Sequence, residues 1–262
     1  MLGKMSRRAF LGFATGGLGL GALAGCAAAA RVTPPAPRRK IRAICFDLFT
    51  LFDPRSVVVA AQRHVPEQAA ELCEAWRTRQ FEYAWLRASA GQYLDFERVT
   101  ADSLVYALRA KKLELPAAAQ RELVAAYSEL TPWPDTRAQL TAFRQIGLKL
   151  APLANFSPSM IARLLDHANL SPLFDAQLST DFVRSYKPDP RAYALAPARL
   201  GFTREEIAFS AFGGWDAAGA RWFGFPTFWV NRLGVAQEEL APGPDASGPT
   251  LAELANFVSH WG

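Results

Sequence analysis

The chain has 262 residues, half of them hydrophobic, and a formal net charge of +5. Residues 1–25 hold three basic residues and no acidic one, so the rest of the chain has 26 basic against 24 acidic residues, a net charge of about +2. So small a charge excludes the basic patch of a nucleic-acid-binding protein. The length and apolar content predict one sizeable domain, or a core with an inserted cap, that folds without disulfides.

Residues 1–25 are interpreted as an export signal. The segment from Ser6 to Leu11 resembles the twin-arginine export consensus, and a Gly- and Ala-rich apolar run follows it to Ala24. An ordinary secretory signal with two chance arginines is the alternative. The run is too short, and too often interrupted by Gly, to predict a transmembrane helix.

The end of this run resembles a bacterial lipobox, Leu23-Ala24-Gly25-Cys26, in which the cysteine is lipidated after cleavage. Simple cleavage near the following alanines is the alternative. Residues 26–40 contain three prolines and end in Arg38-Arg39-Lys40, a composition that predicts a tether. We therefore expect an exported protein, periplasmic or anchored in the membrane by a lipid at Cys26 and facing the periplasm.

From residue 41 onward, short apolar runs alternate with helical patterns. Four runs predict strands: Ile41–Phe46, Leu148–Leu153, Ile207–Phe212 and Pro226–Val230. Helices are predicted to begin at two N-caps followed by Pro, Ser157-Pro158 and Asp189-Pro190. Two capping boxes, Thr203…Glu206 and Thr250…Glu253, predict further helix starts. The alternation predicts an α/β fold with a Rossmann-like parallel sheet covered by helices on both faces.

Residues 55–133 break this alternation. They contain helical patterns and no clear strand, at Glu67–Ala88, Thr100–Lys111 and Pro116–Leu130. We therefore predict an all-helical cap at 55–133, inserted into an α/β core formed by 41–54 and 134–262. Caps of this kind close over a site and exclude water.

Polar residues stand at the ends of the predicted strands. Asp47 directly follows the first strand, Asn155 follows the second, Asp216 follows the third, and Lys187 lies in a loop before a helix. In open parallel sheets ligands bind at the carboxyl edge of the strands. A strand-end Asp alone is more often a helix cap, so the joint placement of the four residues is what predicts a site.

The sequence contains three cysteines, and Cys26 belongs to the lipobox. Cys45 lies in a strand pattern and Cys73 in a helical one, and both are interpreted as buried free thiols. A disulfide between them is the alternative in an oxidising compartment.

Four groups of residues carry a resemblance to a known family: Phe46–Asp53; Trp76–Arg87 continuing to Tyr93–Phe96; Tyr186–Asp189 with Arg191 and Tyr193; and Trp215–Arg221 with Phe223–Pro226. In this order, over about residues 41–235, the chain resembles the L-2-haloacid dehalogenases of the haloacid dehalogenase superfamily. The resemblance implies the fold of that superfamily with a helical cap. It also implies hydrolysis of small (S)-2-haloacids to 2-hydroxy acids and halide through an aspartyl ester, without a metal or cofactor.

The resemblance further implies a role for each matching residue. Asp47 would be the nucleophile, Arg77 would bind the departing halide, Lys187 would keep Asp47 ionised, and Asp216 would orient Lys187 and the hydrolytic water. The implied substrate-binding residues are Leu48, Phe49, Thr50, Phe96, Ala154, Asn155, Tyr193, Gly213 and Trp215. The implied partners are a small halogenated carboxylic acid, halide ion and a second copy of the chain, although the residues give no independent sign of a homodimer.

Four positions depart from the family pattern. Thr50 directly follows Phe49, without the intervening Gly, and this shorter loop would allow Thr50 to move away from the nucleophile. Ala154 and Ala211 stand where the family has serines, and Gly213 where it has Asn. A lost hydrogen bond to a charged group, about 1.5–3 kcal/mol, would slow turnover about 10- to 150-fold. Slower, redirected or lost dehalogenation are all compatible with these changes.

Two other functions compete with dehalogenation. A phosphatase of the same superfamily needs a second Asp two residues after the nucleophile, where this chain has Phe49, and a further acid for Mg²⁺ near Gly213 and Gly214. A non-catalytic envelope lipoprotein that keeps the fold as a binding module is favoured by the four departures.

Overall fold

The structure is a computed structural model that describes residues 39–261, which belong to one compact unit. The predicted export signal, the lipidation site at Cys26 and nearly all of the predicted tether lie outside the described residues. Between residues 39 and 261, no helix has both the length and the apolar character needed to cross a membrane.

Within residues 39–261, eight strands form two sheets. The strands are β1 (Ala43–Phe46), β2 (Phe52–Asp53), β3 (Thr131–Pro132), β4 (Lys149–Ala154), β5 (Leu178–Ser179), β6 (Ile207–Ala211), β7 (Thr227–Val230) and β8 (Ala246–Gly248). Six of them form a parallel sheet in the order β5-β4-β1-β6-β7-β8, and β2 and β3 pair as a separate antiparallel ribbon.

The same described part of the chain contains ten helices. They are α1 (Leu48–Leu51), α2 (Ser56–Gln62), α3 (Ala69–Ser89), α4 (Phe96–Ala110), α5 (Ala117–Ala125), α6 (Thr136–Gln145), α7 (Pro158–His167), α8 (Pro190–Leu200), α9 (Gly214–Phe223) and α10 (Leu251–Ser259). Short 3-10 turns lie at Ala126–Ser128, Ser171–Leu173, Thr180–Val183 and Arg204–Glu206.

The central strand β1 explains why the sheet is covered on both faces. All four of its residues are buried, and alternate side chains belong to two different apolar layers. Ile44 and Phe46 join the larger layer, and Ala43 and Cys45 join the other. A strand buried on both faces is apolar throughout, as expected for a parallel sheet. The predicted α/β fold with a Rossmann-like parallel sheet is confirmed.

The four predicted strands correspond to β1, β4, β6 and β7, with boundaries that differ by at most two residues. The edge strands β5 and β8 were not predicted because runs of two and three residues carry no periodicity. Cys45 and Cys73 are both buried free thiols, so the predicted free state is confirmed and the disulfide alternative is wrong.

The helices α2 to α5 form a helical insert between β2 and β3. The ribbon closes its base, since Phe52 pairs with Pro132 and Asp53 with Thr131. Within the insert, α3 packs on α4 through Trp76, whose indole Nε1 donates to the carbonyl of Thr100 at 2.8 Å. The predicted boundaries of cap and core stay a prediction.

Some boundaries of the insert differ from the sequence prediction. Helix α2 was not predicted, and α4 begins four residues before the predicted Thr100 because Asp95 caps it by accepting from the backbone N of Arg98 at 2.9 Å. The third predicted helix ends at Ala125 and continues as a 3-10 turn to Ser128. The predicted capping box of Thr203 and Glu206 is present, but it starts a 3-10 turn.

Candidate active site

The site lies at the carboxyl edge of the parallel sheet, where Asp47 follows β1. The backbone N of Asp47 donates to the carbonyl of Ser210 at 2.9 Å, which continues the pairing of β1 with β6 by one residue. The Asp47 side chain is the N-cap of α1, since its Oδ1 accepts from the backbone N of Phe49 at 2.8 Å. The strand and the short helix together hold the carboxylate.

An ionic cluster joins Asp47 to two distant parts of the chain. Lys187 Nζ lies 2.7 Å from Asp47 Oδ2 and 2.6 Å from Asp216 Oδ2. The hydroxyl of Tyr193 donates to Asp216 Oδ1 at 2.6 Å. Lys187, Asp216 and Tyr193 are fully buried, while the Asp47 side chain is 14% exposed. Asp47 is therefore the carboxylate of the cluster that can meet a substrate.

The charges within this cluster shift its pKa values. Burial alone would lower the pKa of Lys187, but the charges of Asp216 and Asp47 outweigh it, so its pKa lies above the ordinary 10.5. Burial raises the pKa of Asp216 to about 6, although Lys187 and the Tyr193 hydroxyl oppose that shift. Burial also raises the pKa of Tyr193, which keeps it a protonated donor. A protonated Lys187 thus balances two nearby carboxyl groups.

The loop that carries Lys187 is held from two sides. On the core side, the backbone N of Lys187 donates to Asn155 Oδ1 at 2.9 Å. On the side of the helical insert, Trp85 Nε1 donates to the backbone carbonyl of Lys187 at 3.0 Å. The contact with Asn155 shows that this amide positions the lysine loop as well as lining the space next to Asp47.

Two cavities near the nucleophile share part of their aromatic lining. The one next to it has a volume of about 20 Å³ and is lined by Asp47, Leu48, Phe49, Phe81, Phe96, Ala154, Asn155, Phe156 and Trp215. A second cavity of about 390 Å³ lies under α3. Phe49, Phe81 and Trp215 line both, so their rings form the wall between them. The smaller space is about the size of one water molecule.

Arg77 lines the larger cavity and not the smaller one. Its guanidinium carbon lies 5.4 Å from the ring centroid of Phe49, 5.5 Å from that of Phe212 and 6.0 Å from that of Phe81. No acidic side chain within residues 39–261 pairs with it. Arg77 therefore lies next to the Phe49 ring in the larger cavity, with its charge directed at an aromatic-walled space.

The departures from the family pattern have visible structural consequences. Thr50 is fully buried, and its hydroxyl donates to the backbone carbonyl of Asp47 at 2.7 Å rather than to the carboxylate. A Cβ on Gly213 would lie 2.7 Å from Nε1 of Trp215, so the indole occupies the room that a side chain would need. Ala154 lines the smaller cavity, whereas Ala211 is buried in the apolar layer of Cys45.

Sequence reasoning missed part of the aromatic wall. Phe156 stacks on Phe96 at a centroid distance of 5.4 Å, and Phe212 packs against Phe49 at 5.7 Å. Phe81 lies within the segment Trp76–Arg87 that carries the family resemblance, but no role was predicted for it. Its position four residues after Arg77 places both on one face of α3 and could have marked it.

Within the described part of the chain, no three His, Cys, Asp or Glu side chains converge in a group that could hold a metal ion.

Comparison with known proteins agrees with the geometry of the site. A family profile described as haloacid dehalogenase-like hydrolase matches residues 41–224. The chain is 43% identical over 206 residues to an (S)-2-haloacid dehalogenase of Pseudomonas sp. (strain YL), covering 78% of this chain and 89% of that protein. It is 37% identical over 222 residues to haloacetate dehalogenase H-2 of Moraxella sp. (strain B), covering 84% of this chain and 99% of that protein.

A solved structure gives the same assignment. The L-2-haloacid dehalogenase from Xanthobacter autotrophicus with chloropropionic acid covalently bound matches with a TM-score of 0.80 at 35% identity, covering 85% of this chain and 100% of that chain. The resemblance predicted from the motifs is confirmed. The chain belongs to the haloacid dehalogenase-like hydrolase family.

Proposed function

We propose that the protein is an (S)-2-haloacid dehalogenase, which hydrolyses small (S)-2-haloacids to 2-hydroxy acids and halide. The observation that carries the proposal is the Asp47 carboxylate, bonded to the buried Lys187 and lining an aromatic-walled cavity at the sheet edge. The relatives that match most of the chain include (S)-2-haloacid dehalogenases.

In the first step, an Asp47 oxygen attacks the carbon that bears the halogen. A carbon–oxygen bond forms, the carbon–halogen bond breaks, and the halide leaves with the bonding electrons. The ammonium of Lys187 contacts Oδ2 and the Phe49 amide donates to Oδ1, and together these contacts fix the plane of the carboxylate. The nucleophile is therefore oriented before the substrate arrives.

In the second step, water adds to the carbonyl carbon of the aspartyl ester, which releases the 2-hydroxy acid and restores Asp47. The water gives up a proton to the ionic cluster, in which Asp216 is the buried carboxyl group whose pKa burial raises to about 6. The overall balance is haloacid plus water giving hydroxy acid, a proton and halide.

Arg77 is the proposed halide site. Its cation has no acidic partner among residues 39–261 and faces a cavity of about 390 Å³ with aromatic walls. The cavity at Asp47 is too small for a haloacid, so the rings of Phe81 and Trp215 must move aside when substrate binds. This movement joins the two cavities and lets Arg77 stabilise the departing charge.

The test is halide release by the full chain from (S)- and (R)-2-chloropropionate, with Asp47→Asn as the control. We expect release from the (S) isomer only, and none from the variant. In a single turnover in ¹⁸O-water, the label should enter Asp47 and not lactate, since water attacks the ester carbonyl and the lactate hydroxyl takes its oxygen from Asp47. Equal release from wild type and Asp47→Asn would remove the proposal.

We further propose, from the sequence alone, that the enzyme acts outside the cytoplasm and carries a lipid on Cys26. The twin-arginine segment and the lipobox support this proposal. Palmitate labelling in a bacterial host should be lost in Cys26→Ser, and Arg7→Lys with Arg8→Lys should keep the chain in the cytoplasm. Labelling that persists in Cys26→Ser would contradict the lipid anchor.

A homodimer is a further proposal. It is drawn from the family resemblance, and light scattering tests it.

A further inference from the structure

The helical turn that follows the nucleophile ends in backbone carbonyls held by side chains from distant parts of the chain. The carbonyl of Phe49 accepts from Trp133 Nε1 at 3.0 Å. The carbonyl of Thr50 accepts from Arg232 Nη2 at 2.9 Å and from its Nε at 3.3 Å. The carbonyl of Leu51 accepts from the hydroxyl of Thr136 at 2.7 Å. Every carbonyl from 49 to 51 therefore has a side-chain partner outside the motif.

Arg232 is itself held rigidly. Its side chain is 5% exposed and forms two parallel bonds with Asp135, at 3.0 Å from Nη1 and 2.9 Å from Nη2. Its guanidinium carbon lies 5.2 Å from the ring centroid of Trp133. Asp135 also accepts from the backbone N of Leu251 at 2.9 Å, which ties the pair to the start of α10. A guanidinium paired on both sides in this way has a defined position.

The nucleophile and Arg232 stand at opposite ends of α1. At the first end, Asp47 accepts from the Phe49 amide, and at the other end Arg232 holds the Thr50 carbonyl. A cation at the C-terminal carbonyls of a helix is favourable, because those carbonyls carry partial negative charge. Since α1 has only one turn, a tilt at Thr50 reaches the Phe49 amide and with it the Asp47 carboxylate.

We propose that Arg232 is a positioning residue for the displacement step. Acting through the Thr50 carbonyl, and held in place by Asp135, it sets the direction in which the Asp47 carboxylate points. The proposal rests on the proposed function. In this scheme Arg232 supports the Phe49–Thr50 segment, which lacks the Gly of the family pattern. Arg232 touches neither substrate nor reacting atoms in this scheme, so its effect reaches the reaction through α1.

The test compares Arg232→Met and Arg232→Lys with Arg137→Met in the full chain. Arg137 is a matched control, because its Nη2 caps the carbonyls of Ala168 and Asn169 at 2.9 and 2.8 Å, beyond the end of α7 and away from the nucleophile. We expect Arg232→Met to lower kcat on (S)-2-chloropropionate by about 10- to 100-fold with little change in KM, since small misplacements of a reacting group cost rates of this order. Arg232→Lys should recover part of kcat, and Arg137→Met should leave it unchanged.

Amide hydrogen exchange tests the proposal independently of catalytic activity. Amide hydrogen exchange of residues 48–51 should be faster in Arg232→Met than in wild type or Arg137→Met. Where Arg232→Met does not fold, Asp135→Asn replaces it and should lower kcat by a smaller factor. Wild-type kcat in a folded Arg232→Met or Asp135→Asn would overturn the proposal. If wild type releases no halide, the proposed function fails, and unchanged exchange at residues 48–51 would then overturn the positioning role separately.

Discussion

Trp85, on α3 of the helical insert, donates its indole N–H to the backbone carbonyl of Lys187 at 3.0 Å. The same indole packs edge-on against Trp215 at a centroid distance of 5.3 Å, next to the small cavity at Asp47. The residue that balances the charge of the nucleophile is thus bonded directly to the insert. Motion of the insert and the electrostatics of the site are therefore linked through one hydrogen bond.

Trp85→Phe should weaken this link. The ring is largely retained, but the carbonyl of Lys187 loses its donor, which costs about 0.5–1.5 kcal/mol of stability. We expect kcat/KM for (S)-2-chloropropionate to fall several-fold as the lysine loop becomes less fixed. Trp222→Phe is the control, since its indole donates in the same way to the carbonyl of Ala241 at 3.0 Å. Equal losses in both variants would contradict a special role for Trp85.

Lys187→Met should abolish activity and destabilise the fold. Removing one partner from a buried ionic cluster leaves the others uncompensated, at a cost of about 3–5 kcal/mol. Asp216→Asn added to Lys187→Met removes one of the two stranded carboxylates, and it should restore part of the free energy of unfolding without restoring activity. Urea denaturation of wild type, both single variants and the double variant measures the coupling. Strictly additive losses would show that the cluster does not act as a unit.

The acid side of the pH profile should depend on Asp216 and Tyr193. Burial raises the pKa of Asp216 to about 6, so kcat/KM should fall as the pH drops below this value and Asp216 becomes protonated. The Tyr193 hydroxyl bonds to the carboxylate and favours its ionised form. Tyr193→Phe therefore raises the pKa of Asp216 further and should move the acid limb to higher pH. An acid limb at the same pH in Tyr193→Phe and wild type would show that Asp216 is not the group that titrates.

Arg77→Met should lower kcat about 10²- to 10³-fold, as for removal of one pre-organised group that stabilises developing charge. Arg77→Lys keeps the charge but loses the planar face that lies against the rings of Phe49 and Phe212, so it should fall between wild type and the Met variant. Inhibition by added bromide provides an independent measurement. Bromide that inhibits Arg77→Met as strongly as wild type would place the halide elsewhere.

Much of the site could be predicted from sequence, because it follows from local motifs. Asp47, Lys187 and Asp216 each stand in a short, recognisable segment, and the parallel sheet brings strand ends to one edge. The hydrogen bonds that support α1 could not be predicted, since Trp133 and Phe49 are separated by 84 residues and Arg232 and Thr50 by 182. No local sequence pattern indicates a contact between residues so far apart in the chain.

Gly213 is a second feature whose structural consequence could not be predicted from the sequence. Its departure from the family pattern is visible in the sequence, and a loss of hydrogen bonding is the expected consequence. The structure shows a steric consequence as well, because the Trp215 indole lies where the missing side chain would be. Whether a small residue leaves a gap or is filled by a neighbour depends on packing across the insert, which one sequence does not encode locally.

The ribbon formed by β2 and β3 has a consequence for how new specificities arise in this fold. Because Phe52 and Pro132 are paired neighbours, the chain leaves the sheet and returns to it at nearly the same point. All of residues 54–130 can therefore be exchanged for another helical segment as a cassette, while β1 and its carboxylate keep their backbone neighbours. Chimeras joined at the ribbon would take Asp47, Lys187 and Asp216 from one parent, and the residue at position 77 with most of the lining of the larger cavity from the other.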